Sequence, residues 1–121
     1  MSDYCMCHIK SYWQELMTLS SQEFVQASYT KALSYSKEAL YRAEVLATHP
    51  NRCEELQIPF AEIYTLSCKN LACIYQQIDE PLQAEKVLKR GVLFLSCLYK
   101  QKLLEKKIFE RHIRILSSLF S

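Results

Sequence analysis

The residues with the most obvious chemical potential lie near the start of the chain, where Cys5 and Cys7 are followed directly by His8. Thiolates and imidazoles are good zinc ligands. Two cysteines separated by one residue, however, point to different faces of a helix, and no nearby second pair completes a set of four ligands. We therefore expect no resident metal or cofactor. A metal- or redox-responsive sensor that uses these three residues is kept as an alternative.

Catalysis by an activated cysteine is not indicated by the sequence. A nucleophilic thiol needs a base within hydrogen-bond reach, and the three histidines, His8, His49 and His112, belong to separate predicted elements. The chain has no CxxC pair. Its single glycine excludes a glycine-rich phosphate-binding loop. We expect no catalytic residues and no enzyme activity.

The composition favours one helical domain. The chain has 121 residues, 50% of them hydrophobic, with one glycine and three prolines. So few turn-forming residues do not suit a multi-stranded sheet, whereas the abundant Leu, Ala, Glu, Lys and Gln are good helix formers. We expect an all-α fold that forms a single domain over residues 1–121.

The charge does not indicate nucleic-acid binding. The 15 basic and 13 acidic residues leave a net charge of only +2. Six Lys or Arg lie between residues 99 and 121 beside two glutamates, a pattern typical of a solvated helix face and compatible with an acidic partner. The aromatic residues recur within apolar helix stripes, not among basic residues, so they do not predict base stacking.

The expected location is the cytoplasm. The sequence has no apolar run of about 18 residues and no signal segment at its start. Six cysteines are enough for three disulfides in a secreted chain, but nothing else indicates secretion. We expect a soluble protein with reduced thiols and without a membrane partner.

Hydrophobic spacing predicts about five helices. A first helix from Ser2 or Asp3 to the Ser20 region and a second from Ser21 to about His49 form one hairpin over residues 1–49. Residues 50–58, which include Pro50 and Asn51, are predicted to be a loop. Two helices joined by a polar turn at 79–81, with Asp79 as the N-cap of the second, occupy residues 59–100. A final helix is predicted over roughly residues 103–120, within the segment 101–121.

The segment of residues 68–91 resembles a tetratricopeptide repeat (TPR), in which small and large residues alternate where two antiparallel helices touch. Small residues allow the backbones to approach, and large residues fill the space between them. The resemblance rests on these positions: Leu71, Ala72, Tyr75, Ala84, Leu88 and Gly91. It implies a short TPR-like solenoid with a degenerate first hairpin, residues 1–49, and a C-terminal capping helix. The chain is also similar to small uncharacterised bacterial proteins of this fold.

A TPR-like fold implies noncovalent recognition of a protein or peptide in a concave groove lined by the first helix of each pair. The matching positions predict five partner-binding residues: Lys69, Asn70, Cys73, Gln76 and Gln77. An ammonium group can bind a carboxylate, and side-chain amides can both donate to and accept from an extended backbone. We therefore expect an adaptor or a small chaperone.

Other interpretations remain open at the level of sequence. The same polar face is compatible with simple solvation or with burial under the final helix. A type III secretion-type chaperone, which sheathes an apolar client segment, is the main specific alternative. Because a two-repeat array must close its edge, homodimerisation is also possible.

Overall fold

The computed structural model describes residues 1–120. Within these residues the chain forms six α-helices and no strand, which confirms the all-α prediction. The helices are α1 (Asp3–Val25), α2 (Tyr29–Ala47), α3 (Pro50–Glu55), α4 (Phe60–Gln77), α5 (Pro81–Lys100) and α6 (Lys106–Ser117). None of the helices in this part of the chain combines the length and apolar character needed to cross a bilayer. The chain divides into two compact units, Met1–Phe60 and the remainder from Ala61.

In the first unit, α1 and α2 form an antiparallel hairpin. Near their connection, Ser20 Oγ donates a hydrogen bond of 3.0 Å to the carbonyl oxygen of Ala32. Further from the connection, the Arg42 guanidinium lies over the Tyr12 ring at 5.1 Å. Both small Ala32 and Ser20 are fully buried, so the two helices approach closely at this point.

The boundary predicted at Ser20 and Ser21 is wrong. Helix α1 continues to Val25, and α2 begins at Tyr29. Serine often interrupts or caps a helix because its hydroxyl competes for backbone hydrogen bonds. Here the Ser20 hydroxyl is used in the hairpin interface instead, so the serine is a packing residue and the helix passes through it.

The loop predicted over residues 50–58 contains a short helix, α3. Pro50 occupies its first turn, where the missing amide hydrogen is not needed. The fully buried Cys53 donates its thiol to the carbonyl oxygen of Leu46 at 3.3 Å. An ion pair between Arg52 and Asp3 connects α3 to the start of α1. These tertiary contacts are not visible in the local sequence.

The second unit contains α4, α5 and α6, and successive helices are antiparallel. Tyr64 of α4 and Phe94 of α5 pack with their ring centroids 4.7 Å apart. The rings of Tyr99 and Phe109 stack at 4.4 Å and join the end of α5 to the start of α6. The two helices predicted within residues 59–100 are therefore present. The final helix, α6, is shorter at both ends than the predicted range of about 103–120.

In four helix connections a residue other than glycine has a positive φ, in the left-handed region. These residues are Ala27, Gln57, Asp79 and Lys102. At the α4–α5 turn, the Asp79 amide donates to the Gln76 carbonyl and the Glu80 amide donates to the Tyr75 carbonyl. This pair of bonds is the Schellman motif. Asp79 was predicted to be the N-cap of α5, but that position is taken by Glu80. Asp79 instead ends α4, which its tolerance of positive φ allows.

Candidate functional site

The five predicted partner-binding residues lie together on one face of α4. Their spacings of one, three, three and one residues follow the helical repeat, so they form a continuous stripe along the helix. Three of the side chains are exposed and two are half-buried. The exposed residues are Lys69, Gln76 and Gln77, and the half-buried ones are Asn70 and Cys73. The structure therefore brings the predicted residues together.

The rest of α4 is mostly buried. Nine of the helix residues are buried: Ala61, Ile63, Tyr64, Thr65, Ser67, Cys68, Leu71, Ala72 and Ile74. The buried Ser67 hydroxyl donates a hydrogen bond of 2.7 Å to the carbonyl oxygen of Ile63, so this polar group has its partner within the helix. Outside the five predicted residues, the exposed residues of α4 are Glu62 and Leu66.

Leu66 also belongs to this surface, although it was not predicted from the sequence. Its side chain is 40% exposed, and it precedes Lys69 by three residues and Asn70 by four. Sequence reasoning assigns a leucine in an amphipathic helix to the core. The signal that identifies it is its helical spacing to the polar residues. We call Leu66 and the five predicted residues the α4 stripe.

The α4 stripe offers groups suited to holding a polypeptide. Exposed Leu66 provides an apolar contact, Lys69 provides an ammonium group, and the amides at the C-terminal end provide both donors and acceptors. Such a set can engage the backbone and the side chains of an extended segment or a helix. It contains no arrangement of nucleophile and base.

Gln76, near the C-terminal end of this surface, already donates a hydrogen bond to a backbone group. Its Nε2 atom donates to the carbonyl oxygen of Leu119 at 3.4 Å. A cleft of about 140 Å³ lies beside this contact. The cleft is lined by Gln76, Pro81, Leu82, Ala84, Glu85, Leu88, Leu119 and Phe120. The segment after α6 therefore borders one end of the α4 stripe.

The cysteines and histidine near the start of α1 do not form a ligand cluster. Cys5, Cys7 and His8 are all exposed, and the His8 ring lies parallel to that of Tyr4 at 6.2 Å. Across residues 1–120, no group of three or more His, Cys, Asp or Glu side chains is placed to hold a metal ion. Burial raises the pKa of Cys53 to about 11, which keeps that thiol protonated at neutral pH.

His112 is the one histidine in the described residues that is buried. It lies within the apolar stripe of α6, four residues from both Ile108 and buried Leu116. Its Nδ1 atom has no hydrogen-bond partner. The pKa of His112 is lowered, chiefly by burial and also by Arg111, while Glu62 opposes the shift.

Comparison with known families assigns the chain to a family. Residues 11–117 match the model of a family described as a protein of unknown function, DUF2753. The chain belongs to the DUF2753 family. We found no match among curated proteins and none among solved structures. The matched region of this DUF2753 chain contains the whole α4 stripe and begins after Cys5, Cys7 and His8.

The DUF2753 chain has a second accessible surface, on the outer side of α5, that sequence reasoning did not identify. An open cleft of about 500 Å³ is lined by Lys86, Lys89, Arg90, Leu93, Phe94 and Cys97. Leu93 is 67% exposed, and Lys89 forms an ion pair of 2.8 Å with Glu85. The surface combines apolar area with positive charge. Its signal in the sequence is three cations followed, at the same helical spacing, by Leu93, Phe94 and Cys97.

Proposed function

We propose that this DUF2753 protein is a noncatalytic protein–protein interaction module, an adaptor or small chaperone, that binds a peptide or helix along the α4 stripe. The observation that carries the proposal is the selective exposure of this helix. Half of the α4 residues are buried, while Leu66, Lys69 and the terminal amides remain accessible along one face of the helix. A linear array of apolar, cationic and amide groups matches the repeating groups of a polypeptide.

A second argument supports a TPR-like arrangement of the helices. The small residues Ala72, Ala84 and Gly91 that suggested the repeat are all buried. A β-carbon on Gly91 would lie 3.2 Å from Cys68 Sγ, which is closer than most such contacts, so α4 and α5 approach tightly there. We propose a short TPR-like solenoid in which α6 is the cap.

The state of the cysteines fits the cytoplasmic location that we propose. All six are free thiols, and Cys5, Cys7 and Cys97 are exposed to solvent. Free exposed thiols are compatible with a reducing compartment and are disfavoured in an oxidising one. The proposal includes a protein or peptide partner and no cofactor.

The proposal is tested by retention of a partner from a native cell extract. The wild-type chain and a Lys69→Glu/Asn70→Ala variant are immobilised, and the retained proteins are identified by mass analysis and then retitrated as purified components. We expect the variant to lose about tenfold or more in affinity, because it reverses one charge and removes one amide in the centre of the stripe.

A matched control separates the stripe from a general change of charge. Gln22→Ala/Lys31→Glu likewise removes one side-chain amide and reverses one lysine charge, at exposed positions of α1 and α2. It should retain the partner with wild-type affinity. Because Asn70 has contacts of its own, the single variant Lys69→Glu and a thermal melt accompany the double variant. Equal affinity of the wild type and all stripe variants contradicts the proposal.

A type III secretion-type chaperone is a second candidate, favoured by exposed apolar side chains. Leu82 is 72% exposed and Leu93 is 67% exposed, both on α5. Such side chains suit an apolar client segment wrapped around the helix. This candidate predicts a stable heterodimer with its client and loss of the complex in Leu93→Ser, whereas the adaptor proposal predicts that Leu93→Ser binds normally.

A further inference from the structure

The cleft at the C-terminal end of the α4 stripe has a feature that the α4 stripe alone does not explain. Gln76 donates its amide to a backbone carbonyl, that of Leu119, and not to another side chain. Leu119 and Phe120 then form one wall of the cleft, opposite residues of α5 that include Leu82 and Leu88. A backbone carbonyl between two apolar side chains is thus already recognised here by the molecule's own chain.

The segment after α6, residues 118–120, fills the cleft only in part. The Gln76–Leu119 contact, at 3.4 Å, is at the long end of hydrogen-bond distances. The Phe120 side chain remains 37% exposed, and Leu82 on the opposite wall is 72% exposed. A cleft of about 140 Å³ also stays open between the walls. Because burial free energy scales with the apolar area removed from water, the segment is held less tightly than it would be with Phe120 and Leu82 fully covered.

We propose that this cleft is the docking subsite for an extended client peptide that carries two consecutive apolar residues, the second of them aromatic, and that residues 118–120 are an intramolecular stand-in for it. The client's carbonyl accepts the hydrogen bond from Gln76, and its aromatic side chain fills the cleft and covers Leu82. Client binding therefore requires that residues 118–120 leave. This inference rests on the proposed function and specifies the partner of the same surface.

A client cannot bind while residues 118–120 occupy the cleft. The apparent affinity is therefore the intrinsic affinity multiplied by the fraction of time that the cleft is free. If residues 118–120 are seated about 80–90% of the time, their removal makes binding about five- to tenfold tighter. The intrinsic contact between the client and Gln76 does not change. Two variants thus have opposite effects: loss of the stand-in strengthens binding, and loss of the Gln76 amide weakens it.

The test uses a peptide with both ends capped that has the sequence of residues 112–120, HIRILSSLF. Its affinity is measured by isothermal titration or fluorescence anisotropy against the full-length wild type and against Leu119→Ala/Phe120→Ala. We expect the double variant to bind the peptide about five- to tenfold more tightly. Addition of Gln76→Ala to the double variant should weaken binding about two- to tenfold, the effect of one hydrogen bond.

Controls address the peptide, the surface and the fold. A peptide ending in Ala-Ala should not bind. Leu93→Ala, which removes an exposed leucine of α5 outside this cleft, should leave the affinity at the wild-type value. Phe120→Ala alone accompanies the double variant in case the latter melts at a lower temperature. Chemical shifts of the Gln76 side-chain amide provide a readout that does not depend on affinity.

The inference is overturned if the peptide binds no variant, if it binds the wild type and the double variant equally, or if the Gln76 amide signal is unchanged in the double variant. Concentration-dependent dimerisation of the wild type that Phe120→Ala removes would also overturn it, because the segment would then dock on a second copy. Failure here is separate from failure of the proposed function: a client lost by Lys69→Glu/Asn70→Ala but unaffected by Leu119→Ala/Phe120→Ala supports the α4 stripe without the stand-in.

Discussion

Gly91 of α5 lies directly against Leu116 of α6: a β-carbon added to the glycine would be 2.9 Å from Leu116 Cδ1 and 3.2 Å from Cys68 Sγ. Leu116 and Cys68 are both fully buried, so neither can move aside into solvent. A side chain at this position, where α4, α5 and α6 meet, would therefore require Leu116 or Cys68 to shift within the core. Glycine is present for close packing, since its backbone is helical.

Gly91→Ala is expected to destabilise the protein. Alanine gains about 1 kcal/mol in helix propensity over glycine, but the overpacked methyl group costs typically 1–3 kcal/mol. We expect a net loss of about 1 kcal/mol, measured as a lower urea midpoint with an unchanged slope. Lys89→Ala, at an exposed position of the same helix, is the control and should change stability by less than about 0.5 kcal/mol. A more stable Gly91→Ala would show that Leu116 and Cys68 relax.

His112 makes the stability sensitive to acid. Its pKa in the folded protein lies below the ordinary value of 6.5, chiefly because burial disfavours the charged ring. As the pH falls below about 6.5, the unfolded chain binds a proton before the folded chain does, so the free energy of unfolding decreases. Above pH 6.5 this group has little effect. Arg111 favours the neutral ring and Glu62 favours the charged one.

His112→Leu should remove this part of the pH dependence. Leucine also replaces the Nδ1 atom that has no partner with apolar surface in a buried position. We expect the variant to be more stable than the wild type at pH 5 and to lose less stability between pH 7.5 and pH 5, as measured by urea unfolding. His8→Asn, on the exposed start of α1, should keep the wild-type slope. An identical slope for His112→Leu contradicts the assignment.

Lys102→Gly is expected to stabilise the protein. Lys102 closes α5 with a φ of 62°, a conformation that costs a residue with a β-carbon about 1–2 kcal/mol and costs glycine little. Glycine also loses more conformational entropy on folding. We therefore expect the free energy of unfolding to rise by a net amount of about 0.5–1 kcal/mol, measured as a higher thermal or urea midpoint. Lys100→Gly, two residues earlier and still helical, should instead cost about 1 kcal/mol. The same sign for both variants would contradict this explanation.

The cysteines near the start of α1 provide a test of the sensor alternative. If the protein is a binding module, Cys5→Ser/Cys7→Ser retains the partner with unchanged affinity, and the wild type binds no stoichiometric zinc in equilibrium dialysis. Alkylation at pH 8 should modify these exposed thiols quickly and leave Cys53 unmodified, because that thiol is buried and its pKa is raised. Stoichiometric zinc that is lost in the double variant would favour the sensor.

Several features follow from the sequence because they depend on local chemistry. Few glycines and prolines and abundant helix formers predict an all-α chain. Helical spacing alone places Lys69, Asn70, Cys73, Gln76 and Gln77 on one face of α4, since residues three and four apart are neighbours on any helix. The polar turn before Pro81 predicts the connection between α4 and α5 to within a few residues.

Other features are decided only by tertiary contacts. Ser20 is inside a helix because its hydroxyl reaches Ala32 on the neighbouring helix, and Cys53 anchors α3 through the carbonyl of Leu46. His112 is buried although histidine usually interrupts an apolar stripe. The contact of Gln76 with Leu119 joins residues 43 positions apart. Sequence spacing specifies which residues share a helix face, but burial and long-range hydrogen bonds depend on which other helix lies against that face.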